Sequence, residues 1–332
     1  MLYSGLDNKT PYMDNLSLSN IYIKNYYSNS YNSTQNRFNL LTGLPLITSY
    51  GSDKRYIKKY YENTIPKDFI NNGYNVEYIN AADIKFDGTI KLVENSGIKN
   101  IYDAYSDIFN QIKKRFVFHG VEDKSLYNVI IDRIQKADKI KPFLTIAATM
   151  STHGPYENPD THELSYDKTL LYADREVNNF VKKLNDINYF DNGILVITSD
   201  HRAMLPITKR EYDKLGALAH ASIPLVIIDG GGRKEITGPF SHTDLGKSLE
   251  YLTLNKACFN QFQNNIFTES KNSCVIYQQL IDLSLIDIKC GNTYGQVLLD
   301  GDNTRFIKDE LNISDEYKKE IIDYINYLRV VE

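Results

Sequence analysis

A short apolar run that ends in an Asp-His pair constrains the fold of this chain more than any other segment. The run Ile-Leu-Val-Ile at 194–197 leads through Thr198 and Ser199 to Asp200 and His201. Apolar runs of this length, bounded by turn residues, are typical of an inner strand of an α/β sheet. Ligands and metals in such sheets lie beyond the carboxyl ends of the strands. The sequence therefore predicts that Asp200 and His201 reach one metal ion at a sheet edge.

The composition is that of a globular chain of one large domain or two smaller ones. Of its 332 residues, 42% are hydrophobic and 24% are charged, and the net charge is −4. This balance, without a basic stripe, argues against a nucleic-acid partner. The sequence has no apolar run of transmembrane length, and its start lacks the apolar core of a signal peptide.

The cysteine pattern does not decide whether the chain belongs to an oxidising or a reducing compartment. Cys258, Cys274 and Cys290 all lie in the last quarter of the chain and do not have metal-site spacing. A disulfide, for example between Cys274 and Cys290, is compatible with this pattern, but an odd number cannot form a complete disulfide framework. Free or buried thiols are the favoured interpretation.

Hydrophobic periodicity predicts alternating strands and helices. The predicted strands cover 21–27, 74–79, 142–148, 194–198 and 223–228. The predicted helices cover 34–41, 54–72, 104–115, 122–137, 169–184, a segment beginning at 241, and 316–328. This order indicates an α/β layered sandwich with a mostly parallel sheet. We expect a core over 1–254 and an appended C-terminal α/β subdomain over 255–332.

Polar residues whose side chains could bind a ligand or take part in catalysis follow several of these elements. Thr34 stands at a helix start, where free backbone N–H groups favour an anion. His153 follows the strand at 142–148, and Asp200 and His201 follow the strand at 194–198. Each alone has a structural explanation, namely a helix cap, a loop histidine and a turn. Their joint occurrence at ends that point to one edge favours a site.

Six segments, in matching order, resemble the sulfatase-like branch of the alkaline phosphatase superfamily. They are 3–16, 33–43, 151–156, 172–177, 191–201 and 241–245. Within that branch the chain is most similar to lipoteichoic-acid synthases and phosphoethanolamine transferases. The resemblance implies a three-layer α/β/α sandwich of alkaline-phosphatase type. It also implies metal-dependent transfer of a phosphoglycerol or phosphoethanolamine group from a phospholipid to a glycan or lipid hydroxyl.

The resemblance assigns the central roles to four residues. Thr34 would be the nucleophile and a metal contact, and would form a phospho-threonine intermediate. Ser33 is the alternative nucleophile, because sulfatases use a modified Cys or Ser one place earlier. Asp200 and His201 would hold zinc or manganese through a mixed oxygen and nitrogen set.

Further candidates surround this centre. His153 would bind phosphoryl oxygens or protonate the leaving group. Arg37, one helical turn after Thr34, would pair with the same anion unless it is an ordinary surface arginine. Arg202 replaces a Gly of the family and would either serve the phosphate or crowd the substrate. His242 is a candidate substrate contact and His220 an outer member of the site, although a structural role is favoured for both.

The chain departs from the family at its start. The family's first strand carries an acidic metal ligand, and Thr10 lies too close to Met1 for that strand to precede it. We therefore expect a missing central strand and a missing ligand. A sulfuric or phosphoric ester hydrolase, and an inactive remnant acting as a binding module, are the alternatives. The family works on the extracytoplasmic face of the cell membrane, tethered by segments outside this chain, whereas this chain alone is expected to be soluble.

Overall fold

The computed structural model describes residues 9–48, 57, 59–138, 140–268, 274–279, 282–301 and 303–331. The strands are β1 (Ile21–Tyr27), β2 (Asn75–Asn80), β3 (Asn100–Tyr102), β4 (Phe143–Ala148), β5 (Leu195–Thr198), β6 (Leu225–Ile228), β7 (Lys234–Ser241), β8 (Cys274–Gln278), β9 (Leu285–Cys290), β10 (Thr293–Leu298) and β11 (Arg305–Asp309). The helices are α1 (Pro11–Ser19), α2 (Ser33–Thr42), α3 (Ile65–Asn71), α4 (Thr89–Asn95), α5 (Asp123–Lys136), α6 (Tyr166–Asp186), α7 (Lys209–Leu215), α8 (His242–Leu254) and α9 (Asp315–Val331).

The strands of the core form two sheets. One has the order β5-β6-β1-β7, and the other has the order β3-β2-β4. All pairs in the second sheet are parallel, and β1 is parallel to β7. Only β6 runs antiparallel to its neighbours β1 and β5. The expected mostly parallel arrangement is therefore present, with β6 as the reversed strand.

Helices cover both faces of these sheets. Val76 and Tyr78 of β2 pack in a cluster that includes residues of α2, α3 and α4. Ile79, the next residue of β2, packs on the other side with residues of α5 and α6. Because neighbouring strand residues point to opposite faces, this alternation places the sheet between two helical layers. The chain therefore has the predicted three-layer α/β/α sandwich.

The predicted continuous central sheet is divided between β4 and β5. Each of these strands ends its sheet, so each has an edge without a strand partner within the described part of the chain. All four residues of β5 are only partly buried, whereas those of β6 are all buried. Ile79 and Leu195 nevertheless belong to one apolar cluster, so both sheets border the same core.

The segment after α8 forms a separate antiparallel sheet of order β11-β10-β9-β8, against which α9 packs. A disulfide between Cys274 and Cys290 joins β8 to β9. Cys258 is an exposed free thiol. The favoured expectation of three thiols is therefore wrong, because strand pairing places Cys274 directly opposite Cys290. The division at 254/255 follows the end of α8 and remains our proposal.

Two helix predictions are wrong in extent or existence. Residues 59–64 are not helical, and α3 begins only at Ile65, after Thr64 caps it and with Pro66 in its first turn. The first part of the predicted helix, at 54–56 and 58, lies outside the described residues. The expected helix at 104–115 contains a single turn of 3-10 helix at Asp107–Phe109. The sequence analysis also missed α4, β7 and the strands of the C-terminal sheet.

No helix among the described residues is long and apolar enough to cross a membrane.

A buried carboxylate in α8 makes stability depend on pH. Burial raises the pKa of Glu250 to about 7, although Lys247 opposes this shift. One carboxylate oxygen contacts Lys247 at 2.7 Å, and the nearby carboxylate of Asp68, which also binds Lys247, adds to the upward shift of the pKa. The pKa of Glu250 is therefore higher in the folded state, about 7, than in the unfolded state, near 4.5. The folded state is stabilised by this difference below pH 4.5, and the stabilisation is lost as the pH rises through about 7.

We predict that Glu250→Gln removes this pH dependence. Relative to the variant, the wild type should lose on the order of 2 kcal/mol of unfolding free energy between pH 5 and pH 8. Urea denaturation at four pH values measures the difference, and Glu94→Gln, which removes an exposed carboxylate beside Lys91, is the matched control. Parallel pH profiles for wild type and Glu250→Gln would contradict the prediction.

Candidate active site

The candidate nucleophiles lie where the chain leaves β1 and enters α2. Asn32 caps the helix by accepting the N–H of Gln35 at 2.9 Å. Ser33 and Thr34 therefore lie in the first turn, and Thr34 is not the cap that sequence alone suggested. Gly43 ends the helix in the left-handed conformation, with φ 70°, as the Gly-Leu-Pro sequence predicts. The first-turn hydroxyls consequently have a fixed place at the positive end of a buried helix.

Asn36 holds the loop before α2 in place. Its side-chain oxygen accepts the N–H groups of Asn29 and Ser30 at 3.2 and 3.1 Å. Its amide nitrogen donates to the carbonyl oxygens of Ser30 and Asn32 at 2.7 and 3.0 Å. Asn36 is fully buried, so these bonds are made away from solvent. No sequence signal marked it, because its importance lies in bonds to a loop whose shape is not readable from sequence.

His242 links this loop to the strand that carries the Asp-His pair. Its Nε2 donates to the carbonyl oxygen of Ser199 at 3.0 Å, and its Nδ1 lies 3.2 Å from the side-chain oxygen of Asn36. Burial lowers the pKa of His242 to about 4. The ring is 0% exposed, so its position does not support the predicted contact with substrate. The structural role that the sequence favoured fits this position.

Asp200 and His201 lie together at the end of β5, next to Ser33. His201 Nε2 lies 3.2 Å from Ser33 Oγ, and its Nδ1 faces the carbonyl oxygen of Arg202 at 2.7 Å. A carbonyl at Nδ1 fixes the proton there and leaves the Nε2 lone pair available to a ligand. Burial alone would raise the pKa of Asp200, but His201, Arg37 and a hydrogen bond from Ser33 together lower it. Asp200 is therefore ionised at neutral pH.

Thr34 faces a residue that the sequence analysis did not find. Its hydroxyl lies 3.4 Å from the hydroxyl of Thr89, the first residue of α4, and both residues are buried. Arg37 donates to the same Thr89 oxygen at 3.1 Å. Thr34 and Arg37 thus both contact the hydroxyl of Thr89. Thr89 could not be found from sequence, because it lies 55 residues from Thr34 in a segment where no element was predicted.

His153 lies in an exposed turn after β4. Its Nδ1 contacts the carbonyl oxygen of Gly154 at 2.7 Å, and its ring meets the edge of Phe118 at 5.0 Å. Phe118 and His119 have φ values of 52° and 56°, which are costly for side chains of this size. Such strained residues cluster at functional sites. The aromatic wall beside His153 was also not foreseen.

Arg202 has partners other than the predicted phosphate. Its guanidinium binds Glu211 at 2.5 Å and the carbonyl oxygens of Ala203 and Leu205. These bonds hold the Arg202 side chain against the loop between β5 and α7. The structure therefore gives no support to a substrate contact. His220 likewise binds a protein group, the fully buried Asp287, at 3.0 Å. That contact joins the core to the C-terminal sheet.

The side chains at this site are of the types that bind a divalent cation. Asp200 and His201 provide a carboxylate and an oriented imidazole, with the hydroxyls of Ser33 and Thr34 nearby. A catalytic zinc site usually has three protein ligands and an open position. The described residues contain no group of three His, Cys, Asp or Glu side chains able to hold a metal ion. The site is therefore chemically suitable, with two conventional ligands among the residues that the structure describes.

Comparison with known proteins supports the fold. A sequence model of the sulfatase family matches residues 1–253. A protein of the alkaline phosphatase superfamily from Vibrio parahaemolyticus superposes with a TM-score of 0.78 at 18% identity, covering 97% of this chain and 80% of that one. A lipoteichoic acid synthase from Listeria monocytogenes gives 0.73 at 18% identity, covering 96% and 84%. These structures confirm the predicted alkaline-phosphatase-like fold.

The curated relatives are longer than this chain. Phosphoglycerol transferase I of Xanthomonas axonopodis is 26% identical over 182 residues, which are 49% of this chain and 26% of that protein. The matched region therefore spans about a quarter of the relative.

We predict that Asn36→Ala destabilises the protein. The change leaves the N–H groups of Asn29 and Ser30 and the carbonyl oxygen of Ser30 buried without these partners, which should cost about 2–4 kcal/mol. Urea denaturation measures the loss. Asn72→Ala, which removes one exposed bond to a helix carbonyl, should change stability by less than about 1 kcal/mol. Equal effects of the two substitutions would contradict the role of Asn36.

Proposed function

This chain belongs to the sulfatase family, and we propose that it is a metal-dependent transferase of phosphoglycerol from a phospholipid to a hydroxyl of a glycan or lipid. The phosphoglycerol group is favoured over phosphoethanolamine because the Xanthomonas relative is a phosphoglycerol transferase. The observation that carries the proposal is that Ser33, next to Thr34 at a helix N-terminus, lies 3.2 Å from His201 Nε2. Arg37 of the same helix lowers the pKa of Asp200 and donates to the Thr89 hydroxyl that faces Thr34.

In the first step Thr34 displaces the lipid. Its hydroxyl oxygen attacks the phosphorus, the bond from phosphorus to the diacylglycerol oxygen breaks, and phosphoglycerol becomes attached to Thr34. The hydroxyl proton ends on the diacylglycerol oxygen, and exposed His153 is suited to deliver it. Arg37 and the N–H groups of the first turn of α2 stabilise negative charge on the phosphoryl oxygens.

In the second step the acceptor replaces Thr34. The acceptor hydroxyl oxygen attacks the same phosphorus, the bond to Thr34 breaks, and the acceptor proton returns to the Thr34 oxygen. Each displacement inverts the configuration at phosphorus. After both displacements the protein is unchanged. Water in place of the acceptor would make the protein an ester hydrolase.

Asp200 and His201, with the Thr34 oxygen, would hold the divalent cation, zinc or manganese. Such a cation lowers the pKa of a bound hydroxyl and offsets phosphoryl charge. The second candidate is a binding module without catalysis. It is favoured by one observation, that Asp200 and His201 lack a third conventional ligand in the described part of the chain.

We propose that the protein acts outside the cytoplasm, at the membrane that contains the phospholipid. The disulfide between Cys274 and Cys290 supports this, because disulfides persist mainly in oxidising compartments.

We predict that a phosphoglycerol adduct forms on Thr34. Intact-protein mass spectrometry after incubation with phosphatidylglycerol should detect it in the wild type. Thr34→Ala should abolish it and reduce turnover roughly a thousandfold or more. Ser33→Ala is the matched control and should keep the adduct. An adduct that persists in Thr34→Ala, or that maps to Ser33, would overturn the assignment of the nucleophile, and free glycerol phosphate without a glycan product would indicate hydrolysis.

We predict that Asp200→Asn weakens metal binding. Loss of one of two conventional ligands should raise the Kd for manganese or zinc roughly a hundredfold or more. Isothermal titration calorimetry measures the affinity, and the wild type should also gain thermal stability from the metal. Asp213→Asn, which changes an exposed carboxylate beside Lys209, is the control. A wild type that binds neither metal would instead support the binding module.

A further inference from the structure

A connected group of aromatic rings lies at the surface beside the candidate active site. This aromatic wall consists of Phe86, Tyr105, Phe118 and His119. Phe86 and Tyr105 are 57% and 58% exposed. The ring centres of Phe86 and Phe118 are 4.4 Å apart, and the rings of Tyr105 and His119 are stacked at 4.3 Å with 3° between their planes. Single exposed apolar side chains are ordinary, whereas a connected group of them marks an interaction site.

The aromatic wall borders the candidate active site at two places. The ring centre of Phe118 lies 5.0 Å from that of His153, and the two rings are nearly perpendicular. The carbonyl oxygen of Phe86 accepts the N–H of Thr89, whose hydroxyl lies 3.4 Å from that of Thr34. A molecule that lies on the wall is therefore close both to His153 and to the residue that faces the proposed nucleophile.

The backbone holds part of the wall at the surface at an energetic cost. Phe118 and His119 have φ values of 52° and 56°, a conformation that side chains rarely adopt. The carbonyl oxygen of Phe118 accepts the N–H of Asp83 at 3.1 Å, and the next N–H after His119, that of Gly120, donates to Val117 at 3.0 Å. These bonds fix the turn, so the rings are in place before a ligand arrives. Backbone strain of this kind is typical of functional sites.

The chemistry of the wall suits a sugar better than an acyl chain. A sugar ring has a face of C–H groups, which packs against the electron-rich face of an aromatic ring, and hydroxyl groups at its edge. Because more than half of Phe86 and of Tyr105 is exposed, a sugar on these rings keeps its hydroxyls in water. An acyl chain in the same place would leave much of its apolar surface in water. Tyr105 and His119 also carry hydrogen-bonding groups, which a sugar hydroxyl can use and an acyl chain cannot.

We propose that the aromatic wall is the acceptor subsite, and that it binds a glycan whose sugar rings stack on Phe86 and Tyr105. This inference rests on the proposed function and narrows its acceptor from a glycan or lipid to a glycan. A hydroxyl of the bound glycan is then the group that replaces Thr34 in the second displacement. Stacking positions this hydroxyl, and the wall takes no part in the first displacement.

Phe86→Ala and Tyr105→Ala test this inference, because each removes one exposed ring. The probes are an array of neutral oligosaccharides of α- and β-linked hexoses and N-acetylhexosamines, with phosphatidylglycerol vesicles as the donor. For a glycan that the wild type binds, each variant should raise the Kd and the acceptor KM about tenfold. The rate of adduct formation on Thr34 without glycan should stay within about twofold, because that step uses only the donor.

Tyr327→Ala is the matched control. Tyr327 is also 58% exposed, but it lies on α9, which packs against the C-terminal sheet. This substitution should change neither the Kd for the glycan nor the acceptor KM. All three variants should keep the melting temperature of the wild type, because each replaces a side chain that is largely in solvent.

The outcomes separate the inference from the proposed function. Wild-type values of Kd and acceptor KM in both variants, or a wild type that forms the adduct but binds no glycan, would overturn the inference and leave the chemistry at Thr34 intact. Slower adduct formation with unchanged glycan affinity would assign the wall to the lipid and would also overturn the inference. Glycan binding that depends on the wall, without any adduct or transfer by the wild type, would support the subsite and overturn the transferase. A wild type that neither binds glycan nor forms the adduct would overturn both.

Discussion

The hydrogen bonds of the Asn36 amide are the interactions on which the candidate site depends. A loop that turns from a strand into a helix exposes backbone groups, and here the chain buries them. Asn36 satisfies two N–H groups and two carbonyl oxygens of that loop from within the helix that follows. The loop and the first turn of α2 are therefore held as one unit, and Ser33 and Thr34 have a defined place. His242 extends this unit to Ser199, beside the Asp-His pair.

The C-terminal sheet supports the same loop from the other side. Asn29 donates from its side chain to the carbonyl oxygen of Ile276, and its own carbonyl accepts the N–H of Gln278 at 3.1 Å. Both partners lie on β8, which the disulfide fixes to β9. Asp287 on β9 adds the contact with His220 at 3.0 Å. The appended segment thus acts as a support for the nucleophile loop, and the site is built from both parts of the chain.

Local signals in the sequence predicted the elements that carry the chemistry. β5 and α2 were found because an apolar run, a polar helix start and the Gly43 stop are each short-range features. Predictions failed where distant contacts decide the structure. Asp287 lies in a strand that alternates with Ile286 and Ile288, and nothing local shows that its carboxylate is fully buried against His220. Thr89 reaches the site only through the packing of α4, so sequence spacing could not place it there.

The charges around Thr34 are suited to two different partners of the proposed reaction. Arg37 and the N-terminus of α2 already favour an anion, and Asp200 and His201 are suited to a cation. A second arginine or lysine beside them would repel that cation and would bury another charge at a cost. Arg37 is held by its bond to the Thr89 hydroxyl at 3.1 Å, so its position does not depend on a bound anion. Arg37 also lowers the pKa of Asp200, which keeps that carboxylate ionised and suited to a cation. The site therefore combines a group that attracts the phosphate with a group that attracts the metal, and each favours the charged form that the other needs.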